Sequence, residues 1–196
     1  MIRPEIPTPS KKEVEKYLSL WGSLENYVLQ ENALDKLFFD VCPHNKTIED
    51  ILIKASALND FYSTNIFSIF PVAKHIYELD IDDRLQAKDE TLVNDVADVT
   101  INGSHKRFYS FATKYCSHHC PLDFPIYDSY VERILVHFKL IDKFAAFKLD
   151  DLKDYETYKN VLIASSKFYG IYDYGLKDID RYLWQLGKEY YPRKYY

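Results

Sequence analysis

Hydrophobic positions along the chain recur mainly at intervals of three and four, the spacing of a helix with one buried face. Ser10-Lys11-Lys12-Glu13 reads as a capping box, in which a hydroxyl and a carboxylate satisfy free amides at a helix start. Behind it Val14, Tyr17, Leu18, Trp21, Leu24 and Val28 fall on one face. Cys42-Pro43-His44-Asn45-Lys46 interrupts, and Thr47-Ile48-Glu49-Asp50 opens a second helix carrying Ile51, Leu52, Ala55 and Leu58, with Asn59-Asp60 expected to end or bend it. Further stripes follow at Ile66, Ile69, Phe70, Ala73, Ile76 and Tyr77, at Leu92, Val93 and Val96 before the turn-prone Asn102-Gly103, and at Phe108, Phe111, Ala112 and Tyr115 before Pro121. Tyr130, Val131, Ile134, Leu135 and Phe138 form the next stripe. Tyr158, Val161, Leu162, Ser165 and Phe168 then run into a C-capping Gly170, and Leu176, Ile179, Tyr182, Leu183 and Leu186 end near Gly187. No sustained alternation of period two appears. The expected class is all-α, a single domain of about eight to ten short helices.

Composition narrows this picture. Of 196 residues, 47% are hydrophobic, enough for a sizeable core, while 5 glycines and 8 prolines exclude collagen-like, linker-like and turn-rich β designs. The formal net charge of −5 removes any global attraction to nucleic acid or an anionic membrane, so such a site must be a local patch. Three cysteines cannot build a disulfide framework and point to a reducing compartment. MIRPEIPTPS lacks a basic-then-apolar leader, and no run approaches membrane-spanning length, so the expected location is cytoplasmic, with no membrane partner.

The segment from Ser110 to Leu135 carries the most chemistry. Its pattern is a helix, a proline-bounded loop, and then Asp128 at the mouth of the next helix, where an N-cap belongs. From this pattern a plain capping role and a catalytic role are both open to Asp128.

Phe124-Pro125-Ile126-Tyr127-Asp128-Ser129-Tyr130-Val131-Glu132-Arg133-Ile134-Leu135 resembles the segment bearing the catalytic aspartate in helix-hairpin-helix DNA glycosylases, closest to the adenine-DNA glycosylase branch beside the endonuclease III-like enzymes. In that superfamily the aspartate follows a Lys of bifunctional enzymes, or a Ser of some monofunctional ones, by a fixed spacing that falls here on Ser110, with the small Ala112 two places on. The resemblance implies two helical lobes around a cleft, one from about residues 47–120 and the other from 1–46 plus 121–196. It implies a hydrolase of base-excision repair that removes a flipped damaged or modified base from DNA, with Ser110 marking monofunctional chemistry. Cleavage builds positive charge on the sugar, which a carboxylate such as Asp128 stabilises. Asn59, Asp60, Phe61 and Tyr62 stand where the resemblance puts the base pocket.

The chain also departs from that pattern. The family's Gly-x-Gly hairpin is replaced by Lys106-Arg107-Phe108-Tyr109, so DNA-backbone contact falls to Lys106 and Arg107, with Arg133 beyond. Ala55 stands near the place of the adenine enzymes' catalytic glutamate, which leaves adenine specificity unsupported. Cys42, Cys116 and Cys120 cannot supply the four-cysteine iron–sulfur cluster of many relatives, so no cofactor is expected.

Three further features have two readings each. Lys114, one turn after Ser110, is a candidate catalytic amine, although a solvated surface lysine is the simpler reading. Cys116 and Cys120 share a helix face beside His118 and His119 and invite zinc, but a closed site needs a remote further ligand (His105, Cys42 or His44) and no paired C-x-x-C is present, so a helix end with ordinary Cys and His is the simpler reading; no metal is expected. Lys106, Arg107, Lys114, Arg133 and Lys139 outnumber nearby acids, as do Arg181, Lys188, Arg193 and Lys194 against Glu189. These cations suit either a DNA-facing patch or solvated faces. Asp178 and Asp180 do not share a helix face and read as structural. The alternative to an enzyme is a non-catalytic helical module that binds nucleic acid or protein.

Overall fold

The computed structural model describes residues 5–192, so Arg193 and Lys194 of the basic C-terminal group lie outside the described residues. The chain divides into two compact units, one of Met1–Leu24 with Tyr127–Tyr196, the other of Glu25–Ile126. Residues 25–46, read above with the flanking lobe, group with the middle of the chain. Phe38 accounts for this locally, because it is buried and packs its ring on Tyr115, His118 and His119.

The first unit holds α1 (Lys11–Trp21), α8 (Ser129–Asp142), a 3-10 turn at Asp150–Lys153, α9 (Tyr155–Phe168) and α10 (Leu176–Tyr190). Helix α10 packs on both α1 and α8. The core takes Val14 and Tyr17 from α1, Val131, Ile134 and Leu135 from α8, and Ile179, Tyr182 and Leu186 from α10, the positions that the helical spacing singles out. Ser10 caps α1 by accepting from the Glu13 amide. Gly170, with φ +66°, closes α9 by the paired bonds Gly170 N–H to Lys167 O and Ile171 N–H to Ser166 O, a Schellman ending.

Two expectations fail in or beside this unit. Helix α1 does not run on to Val28; it stops before Gly22, where the Ser23 amide and hydroxyl both fold back onto the Leu20 carbonyl. Gly187 does not end α10, which continues to Tyr190. Its missing side chain instead lets α10 approach α8: an added Cβ would lie 2.7 Å from Tyr130 Cβ and 2.8 Å from the Tyr130 carbonyl oxygen.

The second unit runs through α2 (Glu25–Asp35), which passes into a π-helical turn at Lys36–Val41, then α3 (Ile48–Phe61), α4 (Ile69–Leu79), α5 (Asp82–Gln86) and α6 (Thr91–Ala97). A hairpin of β1 (Asp98–Ile101) and β2 (Ser104–Arg107) follows, and then α7 (Tyr109–His119). Thr47 caps α3 by accepting from the Asp50 amide. Helix α3 packs on α4, and α6 on α7. The mostly helical expectation holds, with residues 98–107 as the exception. There the strands are antiparallel, Asp98 opposite Arg107 and Ile101 opposite Ser104. Asn102 and Gly103 both take positive φ, +50° and +75°, the backbone that a two-residue hairpin turn requires. Four residues per strand are too few for a legible period-two signal, and β2 is exposed at every position.

Candidate functional site

Helix α7 is buried from Phe111 to His118, although the stretch includes Thr113, Lys114, Ser117 and His118. Polar side chains inside a helix without a solvent face must find partners. Thr113 donates to the Ser110 carbonyl at 3.1 Å, and two groups of contacts engage Lys114 and His118 and, beside them, Tyr115 and His119.

The first group joins α7 to the end of α3. Lys114 is 3% exposed, which corrects the surface-lysine reading. Side chains on a helix lean toward its N-terminus, so the Lys114 stem runs back one turn. Its Nζ donates to Ser110 Oγ at 2.6 Å and to the Ser110 carbonyl at 3.3 Å. The same ammonium lies 5.2 Å from the centre of the Tyr62 ring. Tyr62 in turn places its hydroxyl 3.0 Å from His118 Nε2. Ser110, Lys114 and His118 are spaced by four, hence on one face, and Tyr62 spans the latter two.

The second group escaped the sequence reading. Lys54 of α3 is fully buried, and its three protons find three acceptors: the His44 carbonyl at 2.9 Å, Asn45 Oδ1 at 2.8 Å and His119 Nε2 at 3.3 Å. Tyr115 O–H donates to the same Asn45 Oδ1 at 2.7 Å, while Asn45 Nδ2 donates to Asp82 Oδ1 at 2.6 Å and meets His119 Nε2 at 3.2 Å. The Asn45 backbone amide is also held by both Asp82 oxygens, at 3.1 and 3.0 Å. Two donors converge on His119 Nε2, which therefore works as the acceptor of a neutral ring protonated at Nδ1. Burial pushes Lys54 down to about 8, partly offset by Asp82. His119 is held well below the usual imidazole range by burial first and then by the Lys54 charge. One signal was available in the sequence: Lys54 lies three residues after Ile51 and four before Leu58, on the buried stripe of α3.

Asp128 stands at the start of α8 in the other unit. Its backbone is extended, and Oδ1 accepts from the Tyr130 amide at 2.8 Å, an N-cap bond. Four residues on, Glu132 meets Lys153 Nζ at 2.9 Å, and both touch the Tyr127 hydroxyl. Arg133 is exposed and reaches the Tyr191 carbonyl at 3.5 Å.

The four residues assigned to a base pocket have different local duties. Asn59 Oδ1 accepts from Thr64 Oγ1 at 2.6 Å and from the Ile66 amide at 3.0 Å, and its Nδ2 donates to the Ile66 carbonyl at 3.1 Å. Asn59 thus pins the loop after α3, in which Ser63 and Asn65 take positive φ. Asp60 is exposed, and Phe61 and Tyr62 are half-buried. Of the four, Tyr62 is the one that meets the Ser110–Lys114–His118 face, through its hydroxyl on His118 and its ring on Lys114.

On the hairpin, Arg107 is engaged with Asp98 at 2.6 Å and Asn94 at 2.8 Å, and it covers the Tyr109 ring. Lys106 is exposed on β2. Beside the hairpin, Phe70, Lys74 and His75 of α4 face Asp98 and Ile101 across a groove of about 370 Å³. Among the described residues no group of three His, Cys, Asp or Glu side chains is arranged to hold a metal ion. His118 and His119 serve Tyr62 and Lys54, and Cys116 is buried with its thiol pushed up by desolvation. No helix among the described residues is long and apolar enough to cross a membrane.

Residues 13–123 match a family described as HI_0787_N, N-terminal domain. The chain is also 53% identical over 147 residues to an uncharacterized protein of Haemophilus influenzae, an alignment covering 74% of this chain and 70% of that protein. No solved structure matches the chain. The family span takes in both polar groups on α7 and ends before Asp128.

Proposed function

We propose that this chain, which belongs to the HI_0787_N family of N-terminal domains, is a DNA glycosylase-like enzyme that hydrolyses the N-glycosidic bond of a flipped damaged or modified base. The observation that carries the reading is the segment Ser110–Leu135. Its glycosylase-like spacing coincides with an acid at the mouth of α8 and a buried lysine returned to a serine in the first turn of α7. As the C1′–N bond breaks, its electron pair leaves with the base and positive charge grows on the sugar. Asp128 stabilises that charge and takes a proton from the attacking water, which supplies the C1′ hydroxyl. The capping bond engages Oδ1, and Oδ2 is the oxygen assigned to this task. Tyr62 has the aromatic face and hydroxyl edge that a base pocket needs, and exposed Lys106 and Arg133 are the cations offered to the DNA backbone.

One observation favours the alternative of a non-catalytic binding module on the same scaffold: Asp128 already has a complete structural role as an N-cap. The deciding experiment is binding to duplex DNA that carries a cationic pyrrolidine abasic analogue, with undamaged duplex as reference. A glycosylase prefers the analogue, and Asp128→Asn weakens that preference while the helix keeps its cap. Equal, salt-sensitive binding to both duplexes, blind to the substitution, assigns the chain to the module instead.

A further inference from the structure

We propose that the groove between α4 and β1 binds an extended peptide segment of a partner protein, which pairs its main chain with the outer edge of β1. The inference goes beyond the reading above and does not depend on it. A strand edge presents amides and carbonyls in a row, so the partner it fits is another strand. The phase of the hairpin fixes which groups are presented. The Phe108 amide donates to the Ala97 carbonyl at 2.8 Å, so Ala97 and Phe108 form a hydrogen-bonded pair. In this register Val99 with Lys106, and Ile101 with Ser104, form the next two such pairs. Thr100, opposite His105, falls between them and turns its N–H and C=O away from β2. It is exposed and lies on the groove wall. The Asp98 amide already donates to the Asn94 carbonyl, which leaves Thr100 as the residue that offers both groups to an incoming strand.

The opposite wall selects the side chains of that strand. Phe70, Lys74 and Glu78 of α4 are spaced by four, hence on one face and about 6 Å apart along the axis. Alternate residues of an extended chain lie about 6.6 Å apart, so three same-side residues of a strand meet these three in turn. Phe70 is 55% exposed and, with Pro71 and Ile101, takes an apolar residue. Lys74 and Glu78 pair at 3.6 Å with both side chains more than half exposed, a weak bond readily exchanged for incoming charges. Asp98, by contrast, is held by Arg107 at 2.6 Å. The complementary strand is therefore apolar, acidic and basic at alternate positions. His75 holds this wall in place: its Nε2–H donates to the Asp95 carbonyl at 2.8 Å and ties α4 to the residues just before β1.

The test uses the full chain and synthetic heptapeptides, blocked at both ends, with Val, Glu and Lys at alternate positions and Thr between them, made in both sequence directions. Charge-exchanged isomers carry Val, Lys and Glu instead. Fluorescence anisotropy measures affinity, and amide NMR shifts locate the bound peptide. The expected result is binding of a Val-Glu-Lys peptide with the Thr100 amide shifted, weakened about tenfold when the intervening Thr amides are N-methylated. Thr100→Pro removes the outward N–H without touching a bond to β2 and weakens binding to a like degree. Exchanging the two charges, Lys74→Glu with Glu78→Lys, transfers the preference to the charge-exchanged peptides, which a folding defect cannot do. No binding by any of these peptides overturns the proposal, as does binding that leaves the Thr100 amide unmoved or ignores methylation. Concentration-dependent dimerisation in sedimentation, abolished by Thr100→Pro, assigns the edge to a second copy of the chain and overturns it as well.

Discussion

Gly187 of α10 sits against the backbone of Tyr130 of α8 with no room for a methyl group, since a Cβ there would approach the Tyr130 carbonyl carbon to 2.9 Å. Backbone cannot swing aside as a flexible side chain can, so the two helices must separate. Gly187→Ala therefore destabilises the protein by about 1–3 kcal/mol through overpacking, although alanine is the better helix former by about 1 kcal/mol. Urea unfolding checks this, with a lower midpoint at unchanged slope expected. Gly22→Ala, where nothing lies within 4 Å, makes the matched control.

The Lys54 network predicts a pH signature on each side of neutrality. With a folded-state value of about 8 against an ordinary 10.5, the unfolded chain binds the extra proton between those values. Stability from this group thus rises with pH across that window, with a slope of at most about 1.4 kcal/mol per pH unit. The difference in unfolding free energy between the unsubstituted chain and Lys54→Met should grow from pH 8 to 9. A flat difference would mean that Lys54 titrates alike in both states. His119 acts in acid: its folded-state value lies below the ordinary 6.5, so stability is lost as pH falls through 6.5. His119→Gln keeps an acceptor toward Lys54 and should remove that part of the loss between pH 6.5 and 5.

Asn59 separates a scaffolding role from a ligand-binding one. Its side chain makes three hydrogen bonds to Thr64 and Ile66. Asn59→Ala should cost about 1–3 kcal/mol by leaving loop amides and carbonyls without partners. Hydrogen exchange should quicken at the Ile66 amide. Full stability in this variant would return Asn59 to the pool of ligand-facing residues.

Asp128 is separable in the same manner. Asp128→Ala removes the acceptor for the Tyr130 amide and should destabilise the chain by about 0.5–2 kcal/mol, whereas Asp128→Asn keeps the cap and most of the stability. Thermal unfolding of both variants beside the unsubstituted chain measures this. Loss of stability in the Asn variant as well would show that the carboxylate charge, and not the capping bond alone, supports α8.

What could be read from the sequence was local. Helix starts at Ser10, Thr47 and Asp128 and the end at Gly170 depend on bonds between residues two to five apart, and each capping bond forms as the side-chain types dictate. The buried stripes of α1, α3, α8 and α10 follow from spacing alone, because a helix presents every third or fourth residue to one side. The tertiary structure decided whatever depends on residues far apart in the chain. Gly187 looks like a helix end until Tyr130 is seen against it. Lys54 looks like an ordinary helix lysine until His44, Asn45 and His119 surround its ammonium. Lys114 follows the same rule: its spacing to Ser110 is written in the sequence, but its burial belongs to the packed fold.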